Sequence, residues 1–455
     1  MKSREMLFNI IRIIGDIIFV NLAFYIAFKI KFMGPIPRIN INAYIQLIPY
    51  ISIFSIILFT MYNLYNKQLK RRSEEIFYTF IPATFILVLF TGAVSYLTQN
   101  LAFPRSVYLL SLPTIFIVMV SWRYLAIAVE RRWADKEDII ILAAGKATLK
   151  LIQNIDYSIQ GSYNIKGVVV DDQSYLTELA EIDFEVKEGF NYLKENLDKF
   201  EADIIVLSSN LPQNIKELAF YTALEKNWEV TLMPEFYEIM LSGAELEQLG
   251  ELPVFEILPK GKSVGHIFKR ITDIFLALIG IFLSLPLTVP AALAVKLESR
   301  GPVFFSQERI SRNDKKFEVY KFRTMVENAE ENTGPVLAQE NDYRITKVGK
   351  FLRKTRIDEI PQLLNVLKGD MSIVGPRPER PHFVDQFQEK LPHYKFRHQI
   401  KSGITGLAQV HGFYDTDAED KLRMDLLYAS RRSVLLDLKI LLETLKVIFM
   451  RNKAK

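Results

Sequence analysis

Four apolar runs occupy the first third of the chain, near residues 6–32, 44–65, 76–97 and 107–128. Each is close to the ~20 residues a helix needs to cross a bilayer. The first lacks a cleavable signal-peptide pattern and reads as a retained span. Lys2 and Arg4 precede span one, Lys67, Lys70, Arg71 and Arg72 fill the loop between spans two and three, and Arg131 and Arg132 follow span four. The other two loops carry only Arg38 and Arg105, so the positive-inside rule predicts a four-span α-helical bundle with both termini in the cytoplasm. Arg12, Asp16 and Arg123 fall within or at the edges of spans. Arg12 and Asp16 are spaced for an i,i+4 pair, and the expected role of these ionisable groups is structural.

From about 135 to 258 the pattern changes to short β-type runs alternating with helical ones. Strands are predicted at 138–143, 165–170, 202–207 and 229–232, with helices near 146–156, 174–181 and 213–226. This alternation predicts a small parallel, Rossmann-like α/β domain over 135–258. The loop after its first strand, Ala143-Ala-Gly-Lys-Ala-Thr148, keeps only Gly145 where a dinucleotide loop wants several glycines. A regulatory or assembly role is therefore expected rather than nucleotide binding. Asp171-Asp172 stands where a ribose-holding acid would, although a turn is the simpler reading.

A fifth uncharged run covers 274–295. Length alone would make it a fifth span. However, Lys269 and Arg270 precede it while Lys296, Arg300 and Arg309 follow, so both flanks look cytoplasmic. Ser284, Pro286 and Pro290 interrupt its middle. The expectation is a re-entrant membrane helix over about 268–297, broken at Ser284 and Pro286, that enters and leaves on one face. Further on, 347–356 and 425–451 set Lys and Arg beside Leu, Ile and Phe, a composition suited to helices at a headgroup interface.

The densest polar chemistry lies between 317 and 378. Pro361 fits the first turn of a helix, which places Asp358 at or next to the N-cap and Glu359 in the first turn. Leu363, Leu364 and Leu367 follow at helical spacing, and Gly369 is a natural stop. At a helix start, the dipole and free amides would favour ionised carboxylates. Gly375-Pro-Arg-Pro378 is stiff and would hold Arg377 outward, while a strand over 317–324 would project Lys321 and Arg323 from one face. Singly, each of these is an ordinary cap, turn or solvated strand. Together, two carboxylates and three cations suit phosphoryl transfer with a carboxylate nucleophile and a divalent metal.

Composition narrows the alternatives. Of 455 residues, 49% are hydrophobic and 12% aromatic, high for a purely soluble protein. The net charge of +5 suits an anionic membrane surface or phosphorylated substrates, and no aromatic-rich basic module indicates nucleic acid. With no cysteine, disulfides and cysteine-zinc sites are excluded, and a reducing cytoplasmic setting fits. The five histidines lack metal-ligand spacing.

Residues from about 262 to 455 resemble the catalytic domain of the bacterial sugar transferases, also called polyprenyl-phosphate phosphoglycosyl transferases. The resemblance rests on Lys321-Phe-Arg-Thr-Met325, Arg344-Ile-Thr-Lys-Val-Gly-Lys-Phe-Leu-Arg-Lys354, Asp358-Glu-Ile-Pro-Gln-Leu-Leu-Asn-Val-Leu-Lys-Gly-Asp370, Gly375-Pro-Arg-Pro378 and Ile404-Thr-Gly-Leu-Ala-Gln-Val410. It implies a mostly α catalytic domain in the large family architecture of four N-terminal spans and a Rossmann-like middle domain. It also implies transfer of a sugar 1-phosphate from a UDP-sugar to undecaprenyl phosphate, with release of UMP, at the start of exopolysaccharide, capsule or O-antigen synthesis. In that reading Asp358 is the nucleophile and forms an aspartyl-phosphosugar intermediate, Glu359 holds Mg2+, and Arg377, Lys321 and Arg323 bind phosphate. The implied setting is the cytoplasmic face of a bacterial inner membrane, with the bilayer as a partner; a homodimer is left open. Two other readings compete. A membrane-anchored nucleotide-sugar dehydratase or epimerase would need an intact glycine loop and a well-placed Tyr-x-x-x-Lys; the only such spacing outside the membrane, Tyr343 to Lys347, lies far from the Rossmann-like segment. A non-catalytic scaffold of polysaccharide assembly would predict lost acidic or arginine positions.

Overall fold

The computed structural model describes residues 2–65, 73–99, 102–133, 136–145, 152, 163–172, 186–249, 252–256, 265–326, 342–412 and 416–450. The chain divides into two compact units, 1–235 and 236–455.

The first unit opens with four long helices, α1 (Lys2–Phe32), α2 (Arg38–Met61), α3 (Ser73–Leu97) and α4 (Arg105–Trp133). Small residues allow α1 and α4 to approach closely: a Cβ added to Gly15 would lie 2.0 Å from the Trp122 ring. The polar residues inside the bundle pair across helices, which corrects the expected Arg12–Asp16 contact. Arg12 bonds Glu130 of α4 at 3.1 Å, whereas Asp16 takes the Arg123 guanidinium, Trp122 Nε1 at 3.0 Å and Tyr65 Oη at 2.8 Å. Arg123 also donates to the Leu64 carbonyl at 2.9 Å. The Asp16–Arg123 pair thus closes α1, α4 and the end of α2 around one charge-neutral centre, the arrangement a buried ion pair requires.

An α/β fold follows. Strands β1 (Glu137–Ala143), β2 (Tyr163–Val170), β3 (Val186–Glu188), β4 (Ile204–Leu207) and β5 (Glu229–Leu232) form one parallel sheet in the order β3-β2-β1-β4-β5. The ends of β1 and β2 and all of β4 are buried, as a strand covered on both faces should be. Helices α5 (Phe190–Asn196) and α6 (Gln213–Lys226) connect later strands. Strand β3 escaped the sequence reading because three residues carry no usable periodicity. The helices expected at 146–156 and 174–181 lie outside the described residues except for Ile152, which packs on the sheet. Gly145 adopts φ +60°, and its amide donates to Asp171 at 3.1 Å. Asp171 also accepts from the Asp172 amide at 3.0 Å, the local bonding of a turn.

The second unit begins with α7 (Phe236–Leu241) and an antiparallel hairpin, β6 (Glu245–Leu249) and β7 (Leu252–Glu256), which the sequence reading missed. Helix α8 (Gly265–Glu298) then runs 34 residues without a gap. The break expected at Ser284 and Pro286 does not appear as an interruption. A proline removes one backbone donor and frees the carbonyl one turn earlier. Ser284 Oγ bonds the Ile281 carbonyl at 3.0 Å rather than the Phe282 carbonyl that Pro286 frees, and the helix nevertheless continues through Pro286 and Pro290. Among the described residues, α1–α4 and α8 are five helices long and apolar enough to cross a membrane.

The rest of the unit is mostly helical, with two small sheets: the hairpin of β8 (Phe304–Ile310) and β9 (Lys316–Phe322), and a parallel pair of β10 (Ser372–Val374) and β11 (Gly403–Thr405). Helices α9 (Lys347–Thr355), α10 (Gln362–Lys368), α11 (Pro381–Lys390), α12 (Leu407–His411), α13 (Ala418–Ser430) and α14 (Val434–Phe449) surround them. The amphipathic stretch expected over 425–451 is divided between α13 and α14, because Ser433 caps a new helix by accepting from the Leu436 amide at 3.1 Å. Both halves of α8 pack on this unit. Ala277 joins the core formed with Phe317, Val366, Met371 and Ile373, whereas Ala291 and Val295 pack with Phe322 and Leu352.

Candidate active site

The site forms where β9, the turn after α9 and the loop after β10 converge. Along β9, Phe317 and Val319 face the core, and Lys321 continues the same row by the two-residue strand repeat. Asn365 of α10, fully buried, accepts from the Tyr320 amide at 3.0 Å and donates to the Glu318 carbonyl at 2.6 Å. It satisfies the free edge of β9 and fixes the distance between that strand and the carboxylates.

Helix α9 is set against the end of β9 by Gly349, where an added Cβ would lie 2.1 Å from the Thr324 carbonyl oxygen. It ends at Arg356, which adopts φ +60°. This left-handed residue reverses the chain into a single 3-10 turn over Ile357–Glu359, and α10 starts only at Gln362. The expected N-cap position of Asp358 is therefore corrected. It lies in a separate turn ahead of the helix, without the free helical amides that would favour its ionised form.

The two neighbouring carboxylates end in opposite electrostatic states. Glu359 Oε1 accepts from Lys321 Nζ at 2.8 Å and from Arg377 Nη2 at 2.8 Å. Burial alone would raise its pKa, but Arg377, Lys321 and Arg356 prevail and hold it well below the usual carboxylate range. Asp358 is buried, and its Oδ1 has no hydrogen-bond partner. Its pKa is raised, first by burial and then by the Glu359 charge, against the attraction of Lys321, Arg353 and Arg356.

Arg377 projects from a loop closed by backbone alone. Gly375 N donates to the Thr405 carbonyl and Gly403 N to the Pro376 carbonyl, each at 2.8 Å. Side chains larger than hydrogen do not fit there, since a Cβ on Gly403 would lie 2.1 Å from Gly375 N. A Cβ on Gly406, the glycine of the second motif, would likewise lie 2.2 Å from the Gly375 carbonyl oxygen, so the close approach of the two loops accounts for both motif glycines. Arg397 donates to the Arg377 carbonyl at 2.9 Å and is itself held by Asp425 at 2.8 Å and by the Tyr394 hydroxyl. On the other side, Arg309 donates to the Pro378 carbonyl at 3.2 Å. Burial is the main cause that lowers Arg309 to about 10, which leaves it cationic at neutral pH.

Asp358, Glu359, Lys321 and Arg377 therefore come together, whereas Arg323 does not join them. Its guanidinium donates to the Ser299 carbonyl at 2.8 Å and to the Arg300 carbonyl, tying the end of α8 to the end of β9. The strand ends at Phe322, so the shared-face argument stops one residue short of Arg323. Arg309 and Arg397 were not legible as site residues, because each reaches the site from a distant segment, whereas Arg353 and Asn365 lie close to the dyad in the chain and only the packing shows what they face. Among the described residues no three His, Asp or Glu side chains gather as a metal cage. A divalent ion would have the Glu359 carboxylate from the chain, beside the orphaned Asp358 oxygen, and would draw its other ligands from phosphate and water. That donor set suits Mg2+.

Residues 264–451 match the family model described as bacterial sugar transferase. A UDP-N-acetylgalactosamine-undecaprenyl-phosphate N-acetylgalactosaminephosphotransferase of Aeromonas hydrophila is 43% identical over 214 residues, 46% of this chain and 50% of the relative. A UDP-glucose:undecaprenyl-phosphate glucose-1-phosphate transferase of Caulobacter vibrioides is 41% identical over 191 residues, 41% of this chain and 71% of that protein. An exopolysaccharide production protein of Rhizobium leguminosarum is 39% identical over 198 residues, 41% of this chain and 98% of that protein. The chain spans about half the length of several curated relatives it matches. With the matched region enclosing every carboxylate and cation of the site, the chain belongs to the bacterial sugar transferase family.

Proposed function

We propose that this protein transfers a sugar 1-phosphate from a UDP-sugar to undecaprenyl phosphate, releasing UMP, as the first membrane step of an exopolysaccharide, capsule or O-antigen. The observation that carries this reading is the asymmetry of the dyad: one buried carboxylate oxygen without a partner beside a second carboxylate held ionised by two cations. A nucleophile must have a free lone pair, and a phosphate site needs cations nearby.

In the proposed sequence an Asp358 carboxylate oxygen attacks the β-phosphorus of the donor. The new bond is an acyl phosphate, and the bond to the bridging oxygen breaks, its electron pair leaving with UMP. An oxygen of undecaprenyl phosphate then attacks the same phosphorus and returns Asp358 as a carboxylate. Lys321 and Arg377, already converging on Glu359, are placed to hold the donor's phosphate oxygens. Glu359 would hold Mg2+, which when bound would neutralise pyrophosphate charge. Because Asp358 loses solvation on burial, its attack requires less desolvation than that of an exposed carboxylate.

The support for a re-entrant α8 comes from packing. Residues near both ends contact the same small unit, Lys269 through Asp437 and Val295 through Phe322 and Leu352. A helix leading to the opposite side of a ~30 Å hydrocarbon core would separate those partners. This favours one face for the whole second unit, which the flanking charges put in the cytoplasm, with α1–α4 as the four spans.

The test is UMP release from purified protein supplied with undecaprenyl phosphate, Mg2+ and a panel of UDP-sugars. Release with one sugar, lowered by about three orders of magnitude or more in Asp358→Asn, is expected. Undiminished release in that variant would remove Asp358 as nucleophile, and no turnover with any donor would favour the scaffold reading.

A further inference from the structure

A second group of cations lies outside the contacts of the proposed active site. Arg270 of α8 donates to the Leu367 carbonyl at 2.8 Å and to the Val366 carbonyl, in the last turn of α10. This brings its guanidinium beside Gly369. A Cβ built on Gly369 would lie 3.4 Å from Arg270 Nη2 and 3.7 Å from Lys401 Nζ, so the two cationic heads flank one point. Ser311 Oγ donates to the Asp370 carbonyl at 2.9 Å and accepts from the Ser402 amide at 3.2 Å. These bonds stitch three segments together and bring Arg312 to the same place.

The mutual repulsion is visible in the electrostatics. Burial lowers the Lys401 pKa, and Arg270 and Arg312 lower it further, against Asp273 and Asp370. Arg432 is lowered first by burial, with Arg312 again a repelling neighbour. Among the described residues, neither Arg270, Arg312 nor Lys401 makes an ion pair with a carboxylate. Asp273 is already engaged by Lys269 at 3.2 Å and by Ser372 Oγ and the Ile373 amide, both at 3.1 Å. Arg312 Nε is buried without a hydrogen-bond partner. Like charges held together in partial burial favour a bound anion.

The surroundings identify the anion. Lys269 Nζ meets Asp437 at 2.7 Å and bolts the start of α8 to the start of α14. From that junction Ile267, Phe268 and Ile271 on one helix and Val434, Leu435 and Leu438 on the other are 45–65% exposed. Helix α14 turns its charged Asp437, Glu443 and Lys446 inward and its apolar side outward. Such an inside-out helix meets hydrocarbon rather than water. Cations at the point where two hydrocarbon-facing surfaces begin lie at headgroup depth.

We propose that Arg270, Arg312, Lys401 and Arg432 form a binding site for the phosphate of an anionic bilayer phospholipid, whose acyl chains lie along the outer faces of α8 and α14. This would fix the depth of the second unit at the membrane. The full-length protein in neutral detergent, titrated with phosphatidylglycerol and followed by native mass spectrometry, tests it without any turnover. Phosphatidylglycerol should bind about tenfold or more tightly than phosphatidylcholine. Arg312→Gln/Lys401→Gln should lose that preference, and Lys390→Gln/Lys395→Gln, an equal loss of charge on exposed surface, should keep it. Unchanged binding in the first variant, or equal loss in the second, overturns the site. Equal binding of inorganic phosphate would make it a free-anion site, and preference for undecaprenyl phosphate would make it an acceptor site; either outcome overturns the phospholipid assignment. Should the double substitution unfold the chain, Lys401→Gln against the charge-keeping Lys401→Arg makes the same comparison.

Discussion

Burial and the Glu359 charge together raise the Asp358 pKa above 3.8. If attack needs ionised Asp358, the rate climbs with pH through that raised value, so the acid limb of kcat/KM should lie above pH ~4. Glu359→Gln removes a raising charge and releases Lys321 and Arg377 toward Asp358. Both changes move the limb to lower pH, even as turnover falls, and a pH profile of the variant's residual rate reads the shift. Linkage has the opposite sense for Glu359. Its depressed folded pKa contributes stability above its unfolded value near 4.5, which is lost as pH falls through the lower folded value. Arg397 acts at one remove, through the Arg377 carbonyl. Arg397→Lys keeps the charge facing Asp425 but loses the two-armed geometry. It should raise KM for the donor about tenfold, with kcat much less affected, a split that a purely structural role would not produce.

The turn carrying the dyad depends on how tightly α9 sits on the end of β9. Gly349 permits the approach, and Thr346 caps the helix by accepting from the Gly349 amide at 2.9 Å. Gly349→Ala places a methyl group against the Thr324 carbonyl with no side chain able to move aside. A loss of about 1–3 kcal/mol is expected, the ordinary range for overpacking, and a thermal melt would show it as a lowered Tm. Exposed Lys350→Ala on the same helix should change stability by no more than about 0.5 kcal/mol. Arg356 is the other constraint on this segment: a non-glycine residue at φ +60° carries backbone strain at the junction that turns Asp358 inward.

The second unit wraps the two halves of one apolar helix, while much of that helix's outer side remains apolar and exposed. This arrangement gives a topological prediction, and the absence of native cysteine makes it straightforward to test. Ser242→Cys, N-terminal to α8, and Lys316→Cys, C-terminal to it, are both on exposed positions. A membrane-impermeant maleimide should label both from the same side of sealed vesicles. Labelling from opposite sides would make α8 a full span and overturn the one-face arrangement.

Much of this was legible in the chain itself. Spans of about 20 apolar residues, alternating β and helical runs, and the Asp358-Glu359 and Gly-Pro-Arg-Pro motifs are local signals, and local signals survive without knowledge of partners. Among the elements that went unread, β3 and the β6–β7 hairpin were too short or too irregular to give a period. Partner choice was decided elsewhere. Arg12 and Asp16 have helical pair spacing yet find Glu130 and Arg123 over a hundred residues away, because a buried charge takes whichever counter-charge the packing brings. Lys321 and Arg323 differ by two residues, but one reaches Glu359 and the other the end of α8, since the strand stops between them. The sequence determined that two carboxylates and several cations would be available. That Glu359 takes the cations and leaves an Asp358 oxygen unpartnered follows from the packing, because burial and ion pairing depend on which distant side chains share the space.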